Sequence, residues 1–450
     1  MVRLISVSLL IVSVFLPELS LAQTTPWTLQ KCINHAFENN LQIKQSALGT
    51  DQSETGYLSA KSAFFPSLNA SGSHGYNIGM TLDPFTNSFA LGAIRSNNFG
   101  LSSGVTLYNG FKNHLNLKRA RIGLDLAATN LEQSKNDLAL MISAAYLNVL
   151  FQEEFSTIAI LNLDATKRQV DRISKLIDAG AAAAADLLDV KAQEASDFAT
   201  LISTENSRQL AKLNLVQLLQ LSNEEATSFE VVRPRSEDLV TSDIPANASS
   251  AVSFAIQSFP EIRAAGLSVD DAYLSLDIAK TNYLPRLFGS YNFGSGYSEN
   301  IKGADLQPIP FTTQLSANIN QSIFFSLSIP VFNSFASRSS VQLAEIGVLQ
   351  SKYAQESTAQ VLTQSIESAW ADAFAAQKSL LAQEAALASA ELAFANTEIK
   401  FEAGAISALE YADSRTLLDN ARINSLRTRY DLVFKTKILD FYQGKAITLR

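Results

Sequence analysis

The chain is poor in the residues that crosslink, bind metals or catalyse. Among its 450 residues are one cysteine, three histidines, three methionines and two tryptophans. A single cysteine excludes an intramolecular disulfide, so stability must come from packing and assembly. Cys32 is preceded by Gln30-Lys31 inside an amphipathic stretch rather than at a processing junction, so no lipid anchor is expected. His35, His74 and His114 are far apart and lack companion ligands at metal spacing. The serines lack a nucleophile-elbow context. Neither an enzyme site nor a cofactor is expected. Beyond residue 22 no run of about 18 apolar residues occurs, which excludes a transmembrane helix but not a membrane barrel. Basic charge is also short, with 35 Lys and Arg against 43 Asp and Glu and a formal net charge of −8. That balance argues against a nucleic-acid partner.

What is present begins with a leader. Arg3, the apolar run Leu9 to Leu16 and the small-residue end Ser20-Leu21-Ala22 read as a secretory signal peptide over 1–22, too short and too broken by Pro17-Glu18 to anchor. The rest of the chain says one thing twice. Ala60-Lys61-Ser62-Ala63-Phe64-Phe65-Pro66-Ser67-Leu68 returns as Ala279-Lys280-Thr281-Asn282-Tyr283-Leu284-Pro285-Arg286-Leu287. Tyr108-Asn109-Gly110-Phe111 returns as Phe332-Asn333-Ser334-Phe335, and Ala179-Gly180-Ala181 as Ala403-Gly404-Ala405. A unit of half the chain, far longer than the ~20–50 residues of a solenoid period, is a duplicated structural half. The spacing sets a first repeat over 23–221, a connector over 222–247, a second repeat over 248–445 and a tail over 446–450.

Pro66 and Pro285 each close a helical run and open period-two alternation. Leu68, Tyr76 and Ile78 alternate with Ser67, Asn69 and Asn77; Phe99, Leu101 and Leu107 follow the same rule. In the second repeat Leu287, Tyr291, Phe293 and Tyr297, then Phe325, Leu327, Ile329 and Val331, do likewise. Four strands have no second sheet to pack on and cannot close a barrel, which needs at least about eight, so several copies must pool them. From Asn113 to Ala179 and from Ala336 to Ala403 there is no proline and a dense supply of helix formers. At ~1.5 Å per residue each run gives a helix near 100 Å long. Shorter helical stretches are expected over roughly Leu29 to Phe64, Ala185 to Leu221, Ser250 to Tyr283 and Ile406 to Phe441, with Asn109 and Asn333 placed as N-caps. Glu153-Glu154 and Glu224-Glu225 read as solvated charge pairs.

Taken together, the repeated Ala-Lys-x-x-aromatic-x-Pro-x-Leu, the aromatic-Asn-x-Phe exits, the helix from Thr28-Leu29 to Asn39-Asn40 and the glycine turns resemble the TolC-type outer-membrane efflux protein family over the whole mature length. The resemblance implies a homotrimer. Each protomer would give four strands to one twelve-stranded barrel in outer-membrane lipid of a Gram-negative bacterium, continued by an α-helical tunnel across the periplasm. It also implies a periplasmic adaptor and an inner-membrane pump as partners, and passive export of substrates.

The family pattern further assigns roles at the tips. Ala179, Gly180, Ala181, Ala403, Gly404 and Ala405 match the turns that meet the adaptor. Acidic residues follow the glycine six and nine positions later in both halves. Glu410 and Asp413 match the family's constriction rings, which set cation preference, and Asp186 matches a position that ties the closed entrance together. Asp186 and Asp189 also suit a helix start favoured by the macrodipole. Phe401 and Ile406 stand where the family pattern has Tyr and Arg, which removes the salt-bridged latch; closure then rests on hydrophobic packing of Phe401 and Ile406, or on pairs that one sequence does not display. A different class of reading, a non-conducting coiled-coil spacer of the envelope, gives no reason for duplicated alternating strands ending in aromatics.

Overall fold

A computed structural model describes residues 26–82, 87, 89–180, 183–233, 243–304 and 307–448. The expected signal peptide and Ala181 lie outside the described residues. The first repeat runs α1 (Leu29–Asn39), α2 (Leu41–Ser62), β1 (Ser67–Leu82), β2 (Phe89–Tyr108), α3 (Lys112–Asp178) and α4 (Ala184–Leu219). A short α5 (Asn223–Thr227) follows. The second repeat runs α6 (Ser249–Ser258), α7 (Pro260–Lys280), β3 (Arg286–Ser298), α8 (Phe311–Ala317), β4 (Asn320–Ser328), α9 (Ala336–Glu402) and α10 (Ala408–Tyr442).

The two long helices are 67 residues each, as their composition predicts. The stretch expected over Leu29 to Phe64 is two helices, divided at the Asn39-Asn40 helix end, and the stretch expected over Ser250 to Tyr283 is two helices as well. Both break at the same repeat position by different means. Asn40 ends α1 in extended conformation (ψ 130°), and its Oδ1 accepts from the Gln42 N–H at 2.9 Å to start α2. In the second repeat, Pro260 forces Phe259 to be extended (ψ 141°) and then fills the first helical position, where no N–H is needed.

The second strand of each repeat leads into its long helix through a left-handed pair, Gly110 (φ 67°) with Phe111 (φ 65°) after β2, and Ser334 (φ 53°) with Phe335 (φ 63°) after β4. Left-handed Phe costs about 1 kcal/mol or more. Here edge-on rings offset that cost: Tyr108 on Phe111 at 5.6 Å and Phe332 on Phe335 at 5.7 Å. Asn109 and Asn333 lie two residues ahead of the formal caps, yet still satisfy the helix start. Their Oδ1 atoms accept from the N–H of Asn113 (3.4 Å) and Ser337 (3.5 Å).

One antiparallel sheet in the order β1-β2-β3-β4 results. Register puts Leu101, Phe293, Tyr291 and Ile323 on one face, and Ser102, Asn292, Ser290 and Ser322 on the other. β4 ends at Ser328, so Ile329 and Val331 fall beyond it; Pro330 follows, has no N–H to give a ladder, and biases the residue before it. α8, unforeseen in the sequence, packs beside the upper end of β3 where β4 has not begun, through Ser295 Oγ to the Leu315 carbonyl at 2.6 Å.

The core sits at the waist of the helical part. Ile33, Ile142, Leu150, Leu215 and Val433 join α1, α3, α4 and α10, and Ala251, Ile366 and Leu439 join α6, α9 and α10. Tyr146 Oη donates to the carbonyls of Trp27 (3.0 Å) and Val232 (2.9 Å), pinning the N-terminal segment to the connector. Glu153 and Glu154 are not a solvated pair: Glu153 takes the Arg233 guanidinium at 2.8 Å and Glu154 accepts from Tyr430 Oη at 2.6 Å. Both partners come from distant chain segments, so a run of two acids read by itself looks like surface. Among the described residues, no helix is long and apolar enough to cross a membrane.

Candidate functional site

The tip of each repeat is a glycine-terminated helix. Gly180 (φ 73°) and Gly404 (φ 69°) take the left-handed conformation that ends α3 and α9. Their N–H groups donate to the Ile177 carbonyl (2.9 Å) and the Phe401 carbonyl (3.0 Å), and Ala405 N–H reaches back to Lys400 at 2.9 Å. Ala179, Ala403 and Ala405 are exposed beside them, and nothing lies within 4 Å of a Cβ built on either glycine. Both tips therefore present bare backbone to solvent.

The acidic residues beyond the tips divide by geometry. Glu410 and Ser407 form a reciprocal capping box, with Ser407 N–H to Glu410 Oε2 at 3.1 Å and Glu410 N–H to Ser407 Oγ at 3.2 Å. Asp186 occupies the same helical position and accepts from the Ala183 N–H at 3.2 Å, but Ala183 has no oxygen to return the bond. Both thus start a helix whatever else they do. Asp413 is exposed, one turn further along α10.

Phe401 is half-buried and packs with Ile177 and Leu187 around Ile173 and Val190, so α9 of the second repeat closes on α3 and α4 of the first. Tyr411 stacks on Phe401 at 4.7 Å. Arg172, absent from any sequence expectation, lies 6.0 Å from the Phe401 ring centre and pairs with Glu402 at 3.4 Å. Ile406 is half-buried at the turn. Below, Arg415 reaches across to the Asn162 carbonyl (2.9 Å) and holds Asp419 at 3.7 Å. Burial pushes the Tyr411 hydroxyl and the Asp419 carboxyl above their ordinary ranges, Arg415 pulling both partly back. No local motif signals Arg172, whose partner Glu402 is 230 positions away; Arg415 shows only the i,i+4 spacing to Asp419, and its link to the Asn162 carbonyl spans 253.

At the opposite end, β1 begins directly after Pro66 and β3 directly after Pro285. Large apolar side chains on the sheet remain uncovered, Ile78 at 84% and Phe325 at 70% exposed among them. The outer edges of β1 and β4 have no partner strand among the described residues. The histidines are dispersed, His35 edge-on to Trp27, His74 on Asn97, His114 between Phe64 and Phe111. Among the described residues no cluster of His, Cys, Asp and Glu could hold a metal.

An open sheet with one apolar and one polar face, free at both edges and carried on helices of ~100 Å, defines the stave of a membrane barrel with a helical extension rather than a water-soluble domain. Comparison with known proteins agrees. The family model described as outer membrane efflux protein matches residues 32–220 and 251–441, once per repeat, and the chain belongs to that family. It is 24% identical over 414 residues to the outer membrane protein TolC of Vibrio cholerae, covering 90% of this chain and 88% of that one. It is 21% identical to the outer membrane efflux protein BepC of Brucella suis, covering 90% and 83%. The fold is similar to crystal structures of CusC, with a TM-score of 0.79, 17% identity, and 94% and 93% of the two chains covered. The protein is accordingly one of the Gram-negative outer membrane, its helical part extending into the periplasm.

Proposed function

We propose that three copies join into one barrel and one helical tunnel, a passive exit duct that receives substrates from an inner-membrane pump and periplasmic adaptor. The observation that carries this reading is the unclosed sheet: a lipid-facing apolar surface with two unsatisfied edges is tolerable in a bilayer only after closure. The lumen is then the hydroxyl- and amide-lined face. The exposed glycine turns are the adaptor-docking tips, where small residues leave room for another backbone.

The second-repeat acids supply the constriction. Threefold symmetry brings three copies of Glu410 and of Asp413 toward one axis, an electronegative ring that favours cations. Asp186 serves its helix start. Closure uses Phe401 against the first repeat, as the missing Tyr and Arg suggest, with Arg172 and Glu402 supplying an ion pair beside it. In planar bilayers, Glu410→Ala with Asp413→Ala should shift the reversal potential in a salt gradient toward zero selectivity. An unchanged reversal potential removes the gate assignment, and trimers that never conduct favour a structural spacer.

A further inference from the structure

The duplication fixes more than the fold of each half. From Leu41 to Pro260 the offset between repeats is 219 positions, and from Lys112 to Ala336 it is 224. Inside the chain, the second strand and long helix of the first repeat (β2, α3) meet the first strand and helix of the second (β3, α7). The matching outward sides of β4 with α9 and of β1 with α2 have no partner among the described residues. On α2, Leu48 and Leu58 are more than 60% exposed, and so are Leu343 and Tyr353 on α9.

We infer that these surfaces cover each other between copies in the register of the internal junction, with an ion pair from Glu356 to the partner's Lys44. The inference rests on the trimeric reading above and deepens it from an oligomeric state to named pairs. Carrying the β2·β3 register through the two offsets is a deduction with three independent checks.

Faces agree first. Ser102 opposite Asn292 becomes Ser326 opposite the partner's Ser73, and Asn98 opposite Gly296 becomes Ser322 opposite the partner's Asn77. All four lie on the polar face of their own sheet, whereas a one-residue slip would pair residues of opposite faces.

Sterics agree second. Phe288 and Phe324 are the two aromatics on the polar face. Phe288 leans over Gly104, where a Cβ would lie 2.7 Å from the ring. Gly100 opposite Gly294 becomes Phe324 opposite the partner's Gly75, whose own surroundings are empty to 4 Å. Phe324 thus lies opposite a residue without a side chain, where Phe288, paired with Thr106, leans over the diagonal Gly104.

Charge agrees third. Two ion pairs tie α3 to α7, and one of them carries over: Arg119 with Asp271 has Leu343 and Gln52 at the matching positions, whereas Glu132 pairs with Arg263. Their counterparts, Glu356 on α9 and Lys44 on α2, keep the same signs, are exposed, and have no salt-bridge partner in their own protomer among the described residues.

The test uses the full-length protein in outer membranes, with Cys32 buried and unreactive. Asn77→Cys with Ser322→Cys should give, on oxidation, a covalent trimer on denaturing gels. Ser73→Cys with Ser322→Cys, displaced by four residues or ~13 Å, should not. Lys44→Glu or Glu356→Lys alone should lower the gel-resistant trimer fraction severalfold, and the double swap should restore it. In a protein that light scattering shows to be trimeric, crosslinking of the displaced pair, of neither pair, or a double swap no better than the singles overturns this register alone. A monomer in detergent and membrane overturns the duct along with it.

Discussion

Truncating Phe401 should open the periplasmic end far more than cutting the ion pair beside it. Phe401 is half-buried, so roughly 100 Å² of its ring leaves water against Ile173, Val190 and Tyr411. At ~25 cal/mol per Å² that is about 2.5 kcal/mol, and the stacked ring pair adds ~0.5–1.5 kcal/mol. Arg172 and Glu402 are 42% and 56% exposed. A pair so open to solvent contributes ~0–1 kcal/mol and less as salt rises. If the aromatic contact exists only while the two coiled-coil pairs are drawn together, losing ~3 kcal/mol shifts the closed-to-open ratio by about two orders of magnitude per subunit.

The assay is single-channel recording in planar bilayers at ~0.1 M and ~1 M salt, where the Debye lengths are ~10 Å and ~3 Å. Phe401→Ala should raise the conducting fraction at both salts. Glu402→Gln should raise it modestly at low salt and not at high salt. Equal effects of the two variants, or a Glu402→Gln effect that survives ~1 M salt, would refute a hydrophobic latch. Retained trimer and helix content guard against a folding defect.

Gly110→Ala combines a left-handed backbone (φ 67°) with a Cβ 2.8 Å from Leu284. It should cost ~2–4 kcal/mol in thermal unfolding, and Leu284→Ala in the same chain, which removes the Cγ and Cδ1 contacts but leaves the residue's Cβ at 2.8 Å, should recover only part of the steric share; full recovery would show that the backbone carries no strain. Burial pushes the Glu261 carboxyl above its ordinary range, and Asp137 and Glu132 push it further; burial does the same to Asp137. A raised carboxyl favours the folded state below the ordinary value of ~4 and loses that advantage as pH rises through the raised one. Glu261→Gln should therefore flatten the fall in melting temperature from pH ~4 upward, and an unchanged slope would count against it.

The elements were legible because their causes are local. Proline-free runs rich in Ala, Leu, Gln and Glu gave both 67-residue helices within a residue at each end. Pro66 and Pro285 marked the strand starts, and period-two alternation marked the faces. The first break reads as a helix end at Asn39-Asn40, whereas its counterpart at Pro260 is passed over inside one helical stretch. Depth was not legible: Glu153 and Glu154 are tied by Arg233 and Tyr430, partners no local pattern selects. Nor was the tip cluster. Arg172, Glu402 and Tyr411 meet only because two hairpins of helices end at the same height.

Where the repeats differ at the tip, the difference has a direction. Ile173 and Val190 form the apolar centre that receives Phe401 within one chain. At the 224 offset their counterparts are Thr397 and Ser414, which bond to each other through their hydroxyls at 3.1 Å. The junction inside a copy is therefore centred on two buried aliphatics, and the matching junction between copies on a hydroxyl pair. Burying two aliphatic side chains is worth ~1.5–3 kcal/mol each, whereas a hydroxyl pair nets ~0.5–1.5 kcal/mol and exchanges readily with water. The seam between copies is then the weaker one and parts first, and the Phe401 contact inside each copy sets how far the tunnel end then opens. Thr397→Ile with Ser414→Val, which restores the first repeat's centre in the second, should lower the conducting fraction in bilayers while leaving trimer yield intact. A rise in conductance would show that opening does not begin at the hydroxyl pair.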